Sequence, residues 1–351
     1  MSVLDDPALR AARDPSGMLA VALALPAQIR EAWVLGARAP LSPLPLAPAN
    51  IVLCGMGGSA IGGDLLGGYL APRCALPVIV VRDYEVPAFV GPRSLVVVAS
   101  YSGNTEETLA AAAAARRAGA TLFVITSGGM LADDAARAGV LVPGGLAPRA
   151  ALGYLMIPAL AALDRWGLTA PCGDEVQQAA SALEDLGMEL GPDVPTGRNP
   201  AKALAEHLVG RVPAVYAASP QLEAAAQRWK CQFNENSKTI AAWNMFPELN
   251  HNETVGWGAP ETIAERFSVV VLLDGTEPAR LLRRIELTCD LAFRPAAGVR
   301  QVRARGSGRL ARMLSLVFWG DLVSIYLAYL RGVDPTPVEI IDKVKHELGR
   351  A

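Results

Sequence analysis

Short runs of aliphatic and β-branched residues alternate with helical patterns along most of this chain, and this alternation constrains the fold more than any other feature. The first five runs are NIVLCGMGG, LPVIVVRDY, SLVVVAS, TLFVITS and AGVLVPGG, with a helical pattern at Glu106–Ala118 between the third and fourth. Strands that are apolar on both faces and separated by helices are typical of a parallel sheet covered on both sides. We therefore predict an α/β fold built on a doubly wound parallel sheet.

A second, weaker series of such runs predicts a second domain of the same type. Its members are VPAVYAAS (212–219), KTIAAWN (238–244), FSVVVLLD (267–274) and AGVRQVRAR (297–305). A chain of 351 residues is long for one compact core, so two domains are expected. We predict a first domain at 1–150 that includes an N-terminal helical segment, a helical linker at 151–195, a second domain at 196–330 and a C-terminal helix at 331–351.

Charge, cysteine and histidine content exclude several classes of function. The formal charge of −2 gives no overall field that would attract nucleic acid. Five scattered cysteines without a CxxC motif predict reduced thiols and a cytoplasmic protein. Three histidines that are far apart in the sequence predict no metal site. Leu310–Leu330 is the only segment long enough to suggest a membrane span, but Arg312 and Asp321 interrupt it, so we expect a buried helix and no membrane contact.

Two strand-to-helix turns in the first half predict a phosphate site. They are GMGGSAIGGD, which follows the first strand, and SYSGNTEET, which follows the third. Glycines let backbone N–H groups approach an anion, a helix start presents unpaired N–H groups, and hydroxyls add uncharged donors. The residues that we expect to bind phosphate are Gly58, Ser59, Ser100, Ser102 and Thr105.

Two other readings of these turns remain open. Ser or Thr at a helix start is most often a simple N-cap, and this applies especially to Thr105. GMGGSA also fits the GxGxxA pattern of dinucleotide-binding domains, with Asp83 near the position of a ribose-binding acid. The dinucleotide pattern does not explain the second hydroxyl-rich loop, whereas a phosphomonoester does.

Polar residues cluster among large apolar ones in the second half. Glu235 lies among Asn234, Asn236 and Ser237, and His251 lies between two asparagines, in a stretch that also contains two tryptophans. Solvated loops are one interpretation of such polar runs. A partly buried polar site is the other, because each buried polar group requires a partner.

Arg149 lies where the segment GGLAPRAALGYL is predicted to begin a helix. A cation there opposes the helix dipole at a local cost of about 0.3–1 kcal/mol. An external anion or a carboxylate would offset this cost, and a side chain that turns into solvent would avoid it.

The motifs together resemble a known family. GMGGSAIGGD and SYSGNTEET resemble the phosphate loops of sugar isomerase (SIS) domains. NENSKTIAAWNMFPELNHNETVGW and VDPTPVEIIDKVKHEL resemble the bifunctional phosphoglucose/phosphomannose isomerases, so that the likeness spans roughly residues 51–348. The resemblance implies two flavodoxin- or Rossmann-like SIS domains and a metal-free, cofactor-free aldose–ketose isomerase acting on hexose 6-phosphates.

The same resemblance implies roles for individual residues. Glu235 would transfer the proton between C1 and C2, Arg149 would stabilise the enediolate, and His251 would open the sugar ring from a neighbouring subunit of a homodimer. A C-terminal lysine would assist ring opening. On a helical wheel Lys345 lies at the rim of the apolar face and Lys343 nearly opposite, so we favour Lys345.

Thr336 would contact sugar hydroxyls, although it could equally be a turn residue. Two alternatives to this function stay open. One is a non-catalytic SIS protein that senses a sugar phosphate, and the other is an isomerase of another phosphosugar.

Overall fold

In the residues that the structure describes, nine parallel strands in two sheets form the framework. The computed structural model describes residues 2–258 and 260–348, so Met1 of the predicted first domain, Ala259 of the second domain and residues 349–351 of the predicted C-terminal helix lie outside the described residues. The strands are β1 Asn50–Cys54, β2 Val78–Val81, β3 Ser94–Ala99, β4 Thr121–Thr126, β5 Gly139–Leu141, β6 Val212–Ala217, β7 Ala242–Met245, β8 Phe267–Leu273 and β9 Val299–Arg303. The predicted two-sheet α/β fold is therefore confirmed.

Both sheets have the same strand order. The first runs β2-β1-β3-β4-β5 and the second runs β7-β6-β8-β9, with every pairing parallel. Central strands are buried on both faces, as in β3, where all six residues are buried. In each sheet the chain reverses its direction of winding beside the first strand. Ligands of open α/β sheets bind at such a switch point, outside the carboxyl ends of the strands.

Strand β7 begins four residues later than the sequence predicts. Lys238 has a positive φ of 51°, and the backbone N–H of Thr239 donates to the carbonyl of Phe233 at 3.0 Å. The side chain of Asn234 donates to the Thr239 carbonyl at 2.8 Å. These bonds fold residues 237–239 into a turn, so the apolar residues after it cannot all enter the strand.

Fifteen α-helices flank the sheets in the described part of the chain. The predicted helix at Glu106–Ala118 is confirmed as Glu106–Arg117. The helices are α1 Pro7–Arg13, α2 Met18–Leu23, α3 Leu25–Ala37, α4 Gly57–Leu70, α5 Glu106–Arg117, α6 Ala132–Ala138, α7 Leu152–Arg165, α8 Gly173–Leu190, α9 Pro200–Leu208, α10 Glu223–Glu235, α11 Glu253–Gly256, α12 Glu261–Ala264, α13 Ala279–Leu291, α14 Arg309–Arg331 and α15 Glu339–Leu348.

The long apolar helix α14 belongs to the core. Among the described residues it is the one helix with the length and hydropathy of a membrane span, and 94% of its most apolar window is buried inside the protein. It packs against α8, α9 and α10. Its one buried acid, Asp321, is paired with Arg228 of α10, which explains how a charge is accommodated there.

The segments outside the two sheets differ in their packing. Within 151–195, α7 packs on α3 and α4 and α8 packs on α3 and α14, so both contribute to the central core. At the other extreme, α15 has no buried residue, and its apolar side chains Ile340 and Leu348 are 73% and 64% exposed. Residues 332–338, here called the joining segment, connect α14 to α15.

Candidate active site

The amino ends of helices α4 and α5 meet at the switch point of the first sheet. Strand β1 leads into α4 and strand β3 leads into α5, and these two strands are hydrogen-bonded neighbours. The hydroxyl of Ser59 in α4 accepts a hydrogen bond from the backbone N–H of Tyr101 in the β3–α5 loop at 3.4 Å. The two turns expected to bind phosphate thus lie side by side.

Neither helix has a side-chain N-cap. Thr105 occupies the N-cap position of α5, but its side chain accepts no bond from the first turn. Its hydroxyl instead lies 3.0 Å from that of Ser100, which also accepts from the Gly103 N–H at 3.2 Å. The exposed Ser102 accepts from the Asn104 N–H at 3.3 Å. The first-turn N–H groups of both helices therefore have no side-chain acceptor, which is the arrangement that binds anions.

Arg149 lies directly beside this cradle. It belongs to a short 3-10 turn, Pro148–Ala150, immediately before α7. A Cβ atom at Gly58 would lie 2.9 Å from the Arg149 Cα and N atoms, so only glycine permits α4 to approach this closely. Tyr101 holds the chain before the turn, since its hydroxyl donates to the Pro143 carbonyl at 2.8 Å and accepts from the Leu146 N–H at 3.1 Å.

The Arg149 guanidinium is buried and almost fully paired. Its Nε donates to Asn236 Oδ1 at 2.8 Å, and its Nη2 donates to the carbonyls of Pro335 and Thr336 at 2.7 and 2.8 Å. Its Nη1 lies 3.5 Å from Glu235 Oε2. Burial lowers the pKa of Arg149, and the Glu235 carboxylate opposes that change. The carboxylate thus offsets the cost that the sequence predicted for a cation at this helix start.

Three residues that the sequence analysis did not select support Arg149. Arg228 Nη2 donates to the Arg149 carbonyl at 2.8 Å and also pairs with Asp321 at 2.8 Å. Gln232 donates to the same carboxylate at 2.8 Å. The interruption of an apolar helix by Asp321 was the sequence signal for a buried partner, but it did not identify Arg228.

Asn236 was also missed. Its amide accepts from Arg149 Nε and donates to Ser324 Oγ at 2.9 Å, so it connects the guanidinium to α14. The available signal was its place directly after Glu235, at the end of helix α10.

Glu235 is the last residue of α10 and faces a cavity of about 560 Å³. Its side chain is 27% exposed, whereas that of Arg149 is 4% exposed. A carboxylate at a helix carboxyl end meets the negative end of the dipole, so its pairing with Arg149 holds it there. The cavity walls include Asn234, Lys238, Asp334, Glu339, Ile340 and Ile341.

The joining segment closes one side of this site. Two of its carbonyls accept from Arg149, and Asp334 accepts from the Thr336 N–H at 2.8 Å. The hydroxyl of Thr336 is buried and has no hydrogen-bond partner. Buried hydroxyls normally have a partner, so this one is a polar group that a ligand could satisfy.

Lys238 is a further residue that the sequence analysis did not select. Its ammonium donates to the Glu235 carbonyl at 2.6 Å and to the Pro335 carbonyl at 3.2 Å. Desolvation lowers the pKa of Lys238, and the nearby Arg149 lowers it further.

The structure does not bring His251 or Lys345 to this cavity within one chain. His251 ends a 3-10 turn, Glu248–His251, and is exposed, and it is not among the residues that line the cavity beside Glu235. Helix α15 begins at the cavity with Glu339 and Ile340, but Lys343 and Lys345 lie further along it and are exposed.

Ligand sets for a metal ion are absent from the part of the chain that the structure describes, since no three or more His, Cys, Asp or Glu side chains cluster there. All five cysteines are free thiols.

A family model and curated relatives show the family to which the chain belongs. Residues 197–348 match the family described as "Bacterial phospho-glucose isomerase C-terminal SIS domain". The bifunctional phosphoglucose/phosphomannose isomerase of Caldicellulosiruptor bescii is 43% identical over 327 residues, which cover 92% of this chain and 96% of that protein. The protein of the same name from Thermoplasma acidophilum is 36% identical and covers 86% and 90% of the two chains.

A solved structure supports the fold at the level of the whole chain. A glucose-6-phosphate isomerase-like protein from Thermus thermophilus has a TM-score of 0.63 and 20% identity, with 99% of each chain covered.

Proposed function

Because the chain belongs to the bifunctional phosphoglucose/phosphomannose isomerase family, we propose that it interconverts glucose 6-phosphate and mannose 6-phosphate with fructose 6-phosphate. The observation that carries this proposal is the position of Arg149. Its backbone contacts Gly58 of the phosphate cradle, and its side chain pairs with Glu235. One residue, Arg149, therefore contacts both the anion site and a carboxylate. A phosphorylated sugar held by its phosphate at the first would present its C1–C2 end to the second.

The phosphate end of the substrate is held by uncharged donors. Gly58 and Ser59 of α4 and Ser100, Ser102 and Thr105 of the second turn supply N–H and hydroxyl groups. Binding energy from this non-reacting end orients the sugar and is not consumed by the chemistry.

Proton transfer takes place between Glu235 and two carbons. Starting from the open-chain ketose, the Glu235 carboxylate removes a proton from C1, and the C–H electron pair forms the C1=C2 double bond. The carbonyl electron pair moves to O2 and gives a cis-enediolate. The proton of the O1 hydroxyl then passes to O2, the O1 electron pair forms the C1=O1 carbonyl, and the electron pair of the C1=C2 bond takes the proton back from Glu235 at C2, which yields the aldose. The face of C2 that receives the proton decides between glucose 6-phosphate and mannose 6-phosphate.

Arg149 stabilises the negative charge that develops on the enediolate oxygens. Three of its N–H bonds are fixed by Asn236 and the joining segment, so the guanidinium does not reorganise during the reaction. We assign Thr336 to a sugar hydroxyl, and its unpartnered hydroxyl, on a residue whose carbonyl accepts from Arg149, supports this assignment.

Ring opening requires an acid and a base besides Glu235, and neither His251 nor Lys345 lines the cavity within one chain. We assign these roles to His251 of a second subunit and to Lys345, so the active unit is a homodimer. The exposure of both residues supports their availability to a partner subunit. The proposed chemistry uses no metal ion or cofactor. The proposed ligand is a sugar phosphate, and we expect no binding to nucleic acid or membranes. The free thiols support a cytoplasmic location.

The test is turnover of fructose 6-phosphate by the purified protein in the presence of EDTA, with both aldose phosphates followed by NMR. We expect both to form. Formation of one aldose only would remove the bifunctional assignment. Binding without turnover would favour a sugar-phosphate sensor instead.

A further inference from the structure

Lys238 is held in a backbone conformation that a lysine rarely adopts. Its φ of 51° makes it the one residue other than glycine with a positive φ among those that the structure describes. A non-glycine residue in the left-handed region persists only when its surroundings fix it, and such residues concentrate at functional sites.

The surroundings direct the Lys238 ammonium into the candidate active site. Two of its three N–H groups are used by the carbonyls of Glu235 and Pro335, at 2.6 and 3.2 Å. The Pro335 carbonyl is also an acceptor for Arg149 Nη2, so the two cations share one acceptor. Lys238 lines the same cavity as Glu235, and a third N–H remains for a ligand in that cavity.

The charges around the cavity leave a role for this second cation. The charged groups that act on the Lys238 ammonium are Arg149, Asp334 and Glu235, and the exposed Glu339 lies at the rim. While Glu235 is ionised, its carboxylate and that of Asp334 face the two cations. When Glu235 takes the proton from C1, its carboxyl group becomes neutral. The positive charges of Arg149 and Lys238 then exceed the negative charge of Asp334. The site then gains positive character at the step at which the sugar becomes an enediolate.

We propose that Lys238 is a further catalytic residue of the isomerase, whose free ammonium N–H donates to an oxygen of the enediolate beside Arg149. No covalent bond to the lysine forms or breaks, and the proton stays on nitrogen. The proposal rests on the proposed function, because it assigns Lys238 to the same reaction.

The test compares two substitutions that separate charge from backbone conformation. Lys238→Asn removes the charge and tolerates a positive φ, whereas Lys238→Arg keeps the charge and the unfavourable φ. For Lys238→Asn we expect kcat to fall at least about tenfold, a lower bound set by the loss of one donor to the transition state. We expect its KM to change little and its urea midpoint to equal or exceed that of the wild type. Lys238→Arg should retain most of kcat.

Further controls keep the outcomes distinct. Lys238→Gly relieves the backbone strain completely and should show the same loss of kcat, and Lys230→Ala on helix α10 should leave kcat unchanged. Wild-type kcat in Lys238→Asn would overturn the proposal, and so would parallel losses of kcat and stability in all Lys238 variants, which indicate a purely structural role. A wild-type protein without turnover would overturn the proposed function instead.

Discussion

Arg149 Nη1 lies 3.5 Å from Glu235 Oε2, although the two residues are 86 positions apart in the sequence. Arg149 precedes the first helix after the first sheet, and Glu235 ends the helix that follows the first strand of the second sheet. The contact therefore joins the two halves of the chain. Because Gly58 packs on the Arg149 backbone, the same residue links the proposed base, Glu235, to the proposed phosphate cradle.

Asn236 should be needed to orient Arg149. In Asn236→Ala the buried Nε of Arg149 loses its acceptor, at a cost of roughly 1–3 kcal/mol in the free energy of unfolding. A displaced guanidinium should lower kcat by about 10- to 100-fold. Steady-state kinetics and urea unfolding measure the two effects. Asn236→Asp keeps the acceptor and should recover part of kcat, and an equal loss in both variants would contradict the orienting role.

The buried pair of Arg228 and Asp321 should be costly to break. Asp321→Leu leaves the Arg228 guanidinium buried without its carboxylate, and we expect a loss of about 3–5 kcal/mol in the free energy of unfolding. Arg305→Ala breaks the exposed pair with Glu189 and should cost at most about 1 kcal/mol. Urea unfolding compares the two variants. Similar small losses in both would show that the buried pair carries little stability.

Gly58 should tolerate no side chain. A Cβ atom there meets backbone atoms of Arg149 at 2.9 Å, so Gly58→Ala should displace α4 or the Pro148–Ala150 turn and weaken phosphate binding. Gly67→Ala, in the same helix, meets only Val78 at an ordinary 3.5 Å and should stabilise the protein by about 0.4–1 kcal/mol. Calorimetric titration with fructose 6-phosphate compares the affinities of the two variants. Unchanged affinity in Gly58→Ala would argue against this close packing.

Thr105 should matter for ligand binding more than for stability. Because its side chain caps nothing, Thr105→Val removes only the hydrogen bond to the Ser100 hydroxyl, so it should lower the free energy of unfolding by about 0.5–1.5 kcal/mol while weakening fructose 6-phosphate binding. Asp6→Ala removes a true cap, in which Asp6 Oδ1 accepts from the N–H groups of Ala8 and Leu9 in the first turn of α1, and should cost about 0.5–2 kcal/mol. Thermal unfolding with and without ligand gives both quantities. A Thr105→Val variant that binds fructose 6-phosphate as tightly as the wild type would contradict a role in ligand binding.

The strands and the proximity of the two turns proposed to bind phosphate could be predicted because their signals are local. A run such as SLVVVA is apolar on both faces, and it forms β3 with every residue buried. The turns carry their chemistry in adjacent residues, so Ser59, Ser100 and Thr105 were selected from the sequence and lie together around Tyr101.

The rest of the site depends on contacts that no local pattern encodes. The acceptors of Arg149 in the joining segment are backbone carbonyls, which any residue carries. Arg228 and Asp321 are 93 positions apart, and only the three-dimensional packing of α10 on α14 pairs them. The late start of β7 has the same origin, since the positive φ of Lys238 is imposed by the turn and not by a lysine preference.

Every role assigned above depends on Glu235 as the proposed carrier of the proton between C1 and C2. The most direct measurement is deuterium incorporation into fructose 6-phosphate and its aldose products in deuterium oxide, followed by NMR for the wild type and Glu235→Gln. With the wild type we expect deuterium at C1 of the ketose and C2 of the aldose. With Glu235→Gln we expect none, although this variant should still bind the ligand through the proposed phosphate cradle. Incorporation by Glu235→Gln at the wild-type rate would show that another group moves the proton.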